Sequence, residues 1–139
     1  MKILILNGAN LNLLGTREPD IYGSSSMDDI LTQLKSEYSQ HAIEYFQSNF
    51  EGEIIGKIQE NDFDALVINP GAFTHYSYAI ADALKNLRKP KIEVHISNIY
   101  QREEFRQKSV TAAYTDAVLS GFGTEGYRLA IIHLISIVK

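Results

Sequence analysis

Apolar positions along the chain switch between short continuous runs and sets spaced by three and four residues. Ile3-Leu4-Ile5-Leu6 is uninterrupted, so Lys2–Leu6 is expected as a buried strand. Ser26 followed by Asp29 has the form of a capping box opening a helix, with Ile30, Leu34 and Tyr38 on one face. Ile43–Gln47 alternates as a weaker strand. Gly52–Asn61 reads as a short helix with Ile54, Ile55 and Ile58 on one side. Ala65–Ile68 is a continuous apolar run closed by Asn69-Pro70-Gly71, which reads as a buried strand ending in a turn. Thr74 is expected to cap a helix running to Leu87, with Tyr78, Ala81, Ala83 and Leu84 turned inward. Lys91–Ile96 is a fourth strand, Arg102–Gln107 a short charged helix and Asp116–Ser120 a fifth strand. Thr124–Val138 closes the chain as a helix whose faces are marked by Arg128, Leu129, Ile132 and Ile135.

Five strands with helices between them predict an α/β fold with a parallel sheet covered on both faces. At this size the flavodoxin-like strand order 2-1-3-4-5 is the natural expectation. Residues 1–139 are expected to form one catalytic domain, without repeat or linker. Parallel strands share a direction, so the loops leaving at Asn7, Asn69, Ser97 and Gly121 all emerge at one edge. That edge is where open α/β sheets bind ligands.

Composition narrows the chemistry. Net charge is −4, which argues against a nucleic-acid groove as the main business. There is no cysteine, so disulfides, thiolate metal sites and cysteine nucleophiles are excluded. The longest apolar stretch, from Ala130 to Val138, is interrupted by His133 and Ser136 and is too short to cross a bilayer. The N-terminal apolar run is too short for a signal peptide, so a cytoplasmic location is the default expectation.

Four clusters of polar groups fall at the expected sheet edge. They are Asn10, Arg17 and Tyr22; Asn69 to His75, with Asp82 further along; Glu93 to Asn98; and Arg102 to Arg106. Singly, each has a plain structural reading: Asn69 as a turn former, Asp82 as a solvated face, Arg102 and Arg106 as a salt-bridged surface, His95 as a core histidine. Gly121-Phe122-Gly123-Thr124-Glu125-Gly126 matches G-x-G-x-x-G but lacks a following strand and an acidic residue about 20 positions on. It is read as a tight turn with close helix–sheet packing, with a nucleotide-binding module as the alternative. No H-x-x-x-H or H-x-H spacing supports a metal, no serine sits in a nucleophile elbow, and Lys85, Lys89, Lys91 and Lys108 are read as peripheral, so that none is desolvated inside a strand as a Schiff-base former would be. What remains is acid–base chemistry with tyrosine, histidine and arginine. A phenol near pKa ~10 needs a shift of ~3 units, or ~4 kcal/mol, to act as a base at neutral pH. A poorly solvated guanidinium beside it favours the phenolate.

The residues Asn7–Gly23, Asn69–His75, Glu93–Asn98 and Arg102–Arg106, taken in order, closely resemble the motifs of type II 3-dehydroquinate dehydratases. The closing G-x-G-x-x-G-Y-x-L-A is similar too, so the resemblance covers essentially the whole chain. It implies a flavodoxin-like enzyme of the shikimate pathway, without cofactor or metal, assembled as a dodecamer, a tetramer of trimers. It implies conversion of 3-dehydroquinate to 3-dehydroshikimate by anti elimination through an enolate. Position by position, Tyr22 is then the base and Arg17 the group holding it as phenolate. Asn10 positions a water beside the enolate. His95 is the acid, with Glu93 orienting its ring. Asn69, Ile96 and Ser97 bind the carboxylate region, and His75, Arg106 and Asp82 bind ring hydroxyls, Asp82 reaching in from a neighbouring subunit. Tyr100 departs from the histidine common in the family. Gly15 and Gly23 bracket the base and suggest a lid hinged at permissive positions.

Overall fold

The computed structural model describes residues 1–16 and 26–138. Five strands, β1 (Lys2–Asn7), β2 (Ala42–Gln47), β3 (Ala65–Asn69), β4 (Lys91–His95) and β5 (Ala117–Ser120), form one parallel sheet in the order β2-β1-β3-β4-β5. The helices are α1 (Met27–Glu37), α2 (Glu51–Glu60), α3 (Tyr78–Asn86) and α4 (Glu125–Ile137).

Period-two alternation along the strands divides the core in two. Ile3, Ile5, Ala65, Val67, Ile92 and Val94 face one layer, made of α1 and α4 through Leu31, Leu34, Tyr127 and Ile131. Leu4, Leu6, Leu66 and Ile68 face the other, made of α2 and α3 through Ile54, Ile58, Ile80 and Leu84. Each fully buried aliphatic side chain contributes about 1.5–3 kcal/mol relative to exposure. β1 and β3 have buried residues on both faces, which is why they read as unbroken apolar runs. β4 differs. Ile92 and Val94 join the first layer, and the alternate positions Lys91, Glu93 and His95 are buried polar groups.

The capping box expected at Ser26 is formed. Ser26 Oγ accepts from Asp29 N–H at 3.2 Å, and Asp29 Oδ2 accepts from Ser26 N–H at 3.3 Å. Thr74 does not cap a helix. Residues Gly71–His75 form a 3-10 turn, and α3 starts later, with Ser77 Oγ accepting from Ile80 N–H at 3.0 Å. Starting the helix after Ser77 leaves Tyr78 68% exposed instead of inward. Arg102–Gln107 is not an α-helix; it holds one short 3-10 turn, Glu104–Arg106, and a second, Ile99–Gln101, precedes it. In α4 the buried face runs through Tyr127, Ala130, Ile131 and Leu134, and Ile132 is exposed. Gly126 packs on the sheet, where a Cβ would lie 3.0 Å from Val94 Cγ1. That contact is the close helix–sheet packing expected from the glycine motif.

Candidate active site

The C-terminal sheet edge is built by two interlocked turns. Gly8 follows β1 and Gly71 follows β3, and Gly8 N–H donates to Asn69 O at 2.8 Å. A Cβ on Gly8 would sit 2.1 Å from Pro70 O, so no side chain fits there. Gly71 has φ +63°, a left-handed backbone that favours glycine. These contacts fix the height at which the neighbouring polar residues leave the sheet.

A cleft opens above this edge. Among the described residues it is lined by Asn10, Asn69, His75, His95, Ser97, Arg102 and Arg106, with Ala9, Leu11, Gly71, Ala72 and Ile99. Six of the seven polar groups were expected from the sequence, and they come from the ends of β3 and β4 and the connections that follow β1, β3 and β4. Asn10 has a left-handed backbone (φ 68°), its N–H donates to Asn49 Oδ1 at 2.9 Å, and its side chain does not cap the turn it opens. Ile96 is buried in the core beside β4, so only its backbone is available at the edge. Asp82 is exposed on α3 and does not line this chain's cleft. Arg17, Tyr22 and Gly23 lie outside the described residues.

His95 and Glu93 are adjacent on the polar side of β4. His95 Nε2 lies 2.7 Å from Glu93 Oε2, both side chains being buried. A carboxylate accepts, so Nε2 carries the proton and Nδ1 is the ring nitrogen left for the cleft. Glu93 is fully buried. Burial by itself would raise its carboxyl pKa. Hydrogen bonds from His95, Thr111 and Ser109, together with the charge of His95, outweigh that and hold it below the ordinary carboxylate value.

His75 Nδ1 lies 2.8 Å from Lys108 O and must donate to it, leaving Nε2 toward the cleft. Burial lowers the proton affinity of His75, and this exceeds the opposing effect of the Lys108 carbonyl. A neutral ring with an exposed acceptor nitrogen suits a hydroxyl donor. Arg106 Nε donates to Glu103 Oε2 at 2.6 Å, which aligns the guanidinium along the cleft wall. Arg102, read from sequence as surface, also lines the cleft and donates to Ser97 Oγ at 3.1 Å.

Asn69 is held from beneath. Its Nδ2 donates to Tyr127 Oη at 3.1 Å, and its Oδ1 accepts from Gly71 N–H at 3.1 Å. Tyr127 is fully buried, and burial pushes its phenol pKa far up, so it stays a neutral donor. Nothing in the apolar spacing of α4 marks this tyrosine as part of the site. Thr111 and Ser109 were likewise missed, since they sit in an unpatterned loop.

Among the described residues, no three His, Asp or Glu side chains converge as a metal site would, and no helix is long and apolar enough to cross a membrane. The model of the dehydroquinase class II family matches residues 1–135 of the chain. The chain belongs to the class II dehydroquinase family. A 3-dehydroquinate dehydratase from Thermotoga neapolitana is 55% identical over 133 residues, covering 94% of this chain and 92% of that protein. One from Aliarcobacter butzleri is 51% identical over 143 residues, covering all of this chain and 87% of that protein. The crystal structure of a type II dehydroquinase from Butyrivibrio crossotus superposes with a TM-score of 0.93 at 49% identity, covering 97% of each chain. That of the Propionibacterium acnes enzyme gives 0.93 at 45% identity, covering 97% of this chain and 96% of its own. As a class II dehydroquinase the chain is an enzyme, and its doubly wound fold is that of its solved relatives.

Proposed function

We propose that this class II dehydroquinase dehydrates 3-dehydroquinate to 3-dehydroshikimate, a step of the shikimate pathway. The carrying observation is the buried Glu93–His95 pair at the floor of a cleft whose other polar groups, Asn10, Asn69, His75, Ser97 and Arg106, suit a small polyhydroxylated acid. Full-length relatives at 50–55% identity bear the dehydratase name.

The reaction is an anti elimination. The Tyr22 phenolate removes the C2 proton, and the C–H electron pair passes onto the C3 carbonyl oxygen as an enolate. Arg17 holds Tyr22 ionised and favours the developing negative charge, and Asn10 positions a water beside the enolate. The enolate then collapses, C1=C2 forms, and the C1 hydroxyl leaves as water with a proton from His95. Glu93 keeps the His95 ring oriented throughout. Ser97 and the Ile96 backbone, with Asn69, bind the carboxylate region, and His75 and Arg106 bind ring hydroxyls. No lysine lines the described cleft, in keeping with a route without a covalent adduct. Asp82, exposed and outside its own chain's cleft, is suited to complete a neighbouring subunit's site in a dodecamer built as a tetramer of trimers. The enzyme is assigned to the cytoplasm.

The test is direct. Adding 3-dehydroquinate to the assembled protein yields the absorbance of a conjugated enone, and chelator or borohydride leaves the rate unchanged. No absorbance change from folded, assembled protein would overturn the assignment.

A further inference from the structure

Four side chains close around one carboxylate beneath the cleft. Glu93 Oε2 accepts from Ser109 Oγ at 2.8 Å and from Thr74 Oγ1 at 3.3 Å, besides His95 at 2.7 Å. Glu93 Oε1 accepts from Thr111 Oγ1. The hydroxyls also contact each other, Thr74 to Ser109 and to Thr111 at 2.7 Å each, and Ser109 to Thr111 at 3.1 Å. Thr74 and Thr111 have no exposed surface. The loop carrying Ser109 and Thr111 is tied to the 3-10 turn by Val110 N–H donating to Thr74 O at 2.7 Å, and Ser109 Oγ accepts from Ala112 N–H at 3.0 Å.

We propose that Thr74, Ser109 and Thr111 are positioning residues of the reaction, whose hydroxyls hold Glu93 as an oriented anion so that Glu93 fixes the His95 ring with Nδ1 toward the cleft. This rests on the dehydratase reading for its link to turnover, but the anionic cage itself does not.

The donor inventory carries the argument. An ionised carboxylate is acceptor-only, and it meets one imidazole N–H and up to three hydroxyls. A protonated carboxyl would turn one of these accepting oxygens into a donor and force a hydroxyl to give up its bond to Glu93. A buried carboxylate without partners is costly and tends to take up a proton. Hydrogen bonds to the charged form reverse that tendency, which is the direction found for Glu93. The charged or titratable groups around the pair are His75, which couples to both members, Arg102 and Arg106 in the same cleft, and Lys91 two residues before Glu93 on the same side of β4. Neither His75 nor Arg106 hydrogen-bonds Glu93, so the hydroxyls and His95 supply its contacts among the described residues. A ring held by Nε2 in this way has one rotational setting, and the acid edge arrives pre-aligned.

The experiment compares wild type with Thr111→Val, which keeps volume but removes the hydroxyl, and with Thr111→Ser, which restores it. The carbon-13 carboxyl signal of Glu93 is followed against pH in the ligand-free enzyme. In Thr111→Val the Glu93 titration midpoint rises by about one pH unit, a tenfold change in proton affinity. Turnover falls about tenfold or more with little change in KM, and Thr111→Ser returns both toward wild type. An unmoved Glu93 midpoint in folded Thr111→Val overturns the proposal. A moved midpoint with unchanged kcat overturns the link to catalysis. If Thr111→Val does not fold, Ser109→Ala takes its place, with the same measurement and the same outcomes deciding. Should wild type itself fail to convert 3-dehydroquinate, the dehydratase reading fails, and the carboxyl titration still decides whether the cage holds the anion.

Discussion

Tyr127 Oη donates to Asn7 Oδ1 at 2.8 Å, joining the last helix to the end of the first strand across 120 residues. The same phenol accepts from Asn69 Nδ2 at 3.1 Å, and Asn7 Nδ2 turns outward to Tyr45 Oη at 3.4 Å. The hydroxyl thus sets the amide orientation of two strand ends at once, one of which lines the cleft. Tyr127→Phe leaves Asn7 Oδ1 and Asn69 Nδ2 without this partner in a buried place. Each unsatisfied buried group costs about 1–3 kcal/mol. For the two groups together the expected result is a loss of about 2–6 kcal/mol of unfolding free energy with a raised KM, measured by urea denaturation and steady-state kinetics. Unchanged stability and KM would show that the phenol is a packing group only.

If Tyr22 is the base proposed above, Tyr22→Phe is expected to remove nearly all turnover with circular dichroism unchanged, because it deletes only the phenolic hydroxyl. A variant retaining more than about a tenth of wild-type kcat, ~1.4 kcal/mol of barrier, would rule out Tyr22 as the base.

The depressed carboxyl of Glu93 has a signed consequence for stability. Its native form is held below the ordinary carboxylate value, so the unfolded state takes up a proton first as pH falls. The stabilisation is therefore complete above the unfolded value and is lost as pH falls through the native one. Unfolding free energies of wild type and Glu93→Gln, compared between about pH 6 and about pH 3, should converge toward the acid end. A constant difference across that range would mean that ionised Glu93 contributes no pH-dependent stability.

Gly8→Ala tests the interlock of the two turns. Its Cβ would meet the Pro70 carbonyl oxygen at 2.1 Å, against backbone rather than a movable side chain. Overpacking of this kind typically costs about 1–3 kcal/mol or more. The variant should melt well below wild type and lose turnover, since Asn69 and Asn10 flank the displaced segment. A melting temperature within ~1 °C of wild type would refute the clash.

Much of the site is legible in the amino-acid sequence. The motif around Asn69, His75, Glu93, His95, Ser97 and Arg106 is contiguous within each loop, and a parallel sheet delivers all strand ends to one edge. The capping box at Ser26 and Asp29 is equally plain, because a cap is a local hydrogen bond between near neighbours. Thr74 shows the limit. Its position before a helical pattern suggests a cap, but Glu93 on the next strand offers a stronger acceptor, and the helix begins three residues later at Ser77. The buried face of α4 is a second case: apolar residues mark several of its faces, and only packing on the sheet selects Tyr127, Ala130, Ile131 and Leu134.

The sequence by itself determined the order of elements, the parallel sheet and the candidate acid–base groups, because these follow from periodicity, turn chemistry and short contiguous motifs. Tertiary structure alone decided which of the remaining polar residues matter. Tyr127, Ser109 and Thr111 act over separations of 120, 16 and 18 residues from Asn7 and Glu93. A buried donor is recruited by the acceptor it must satisfy, and only the folded chain brings the two together.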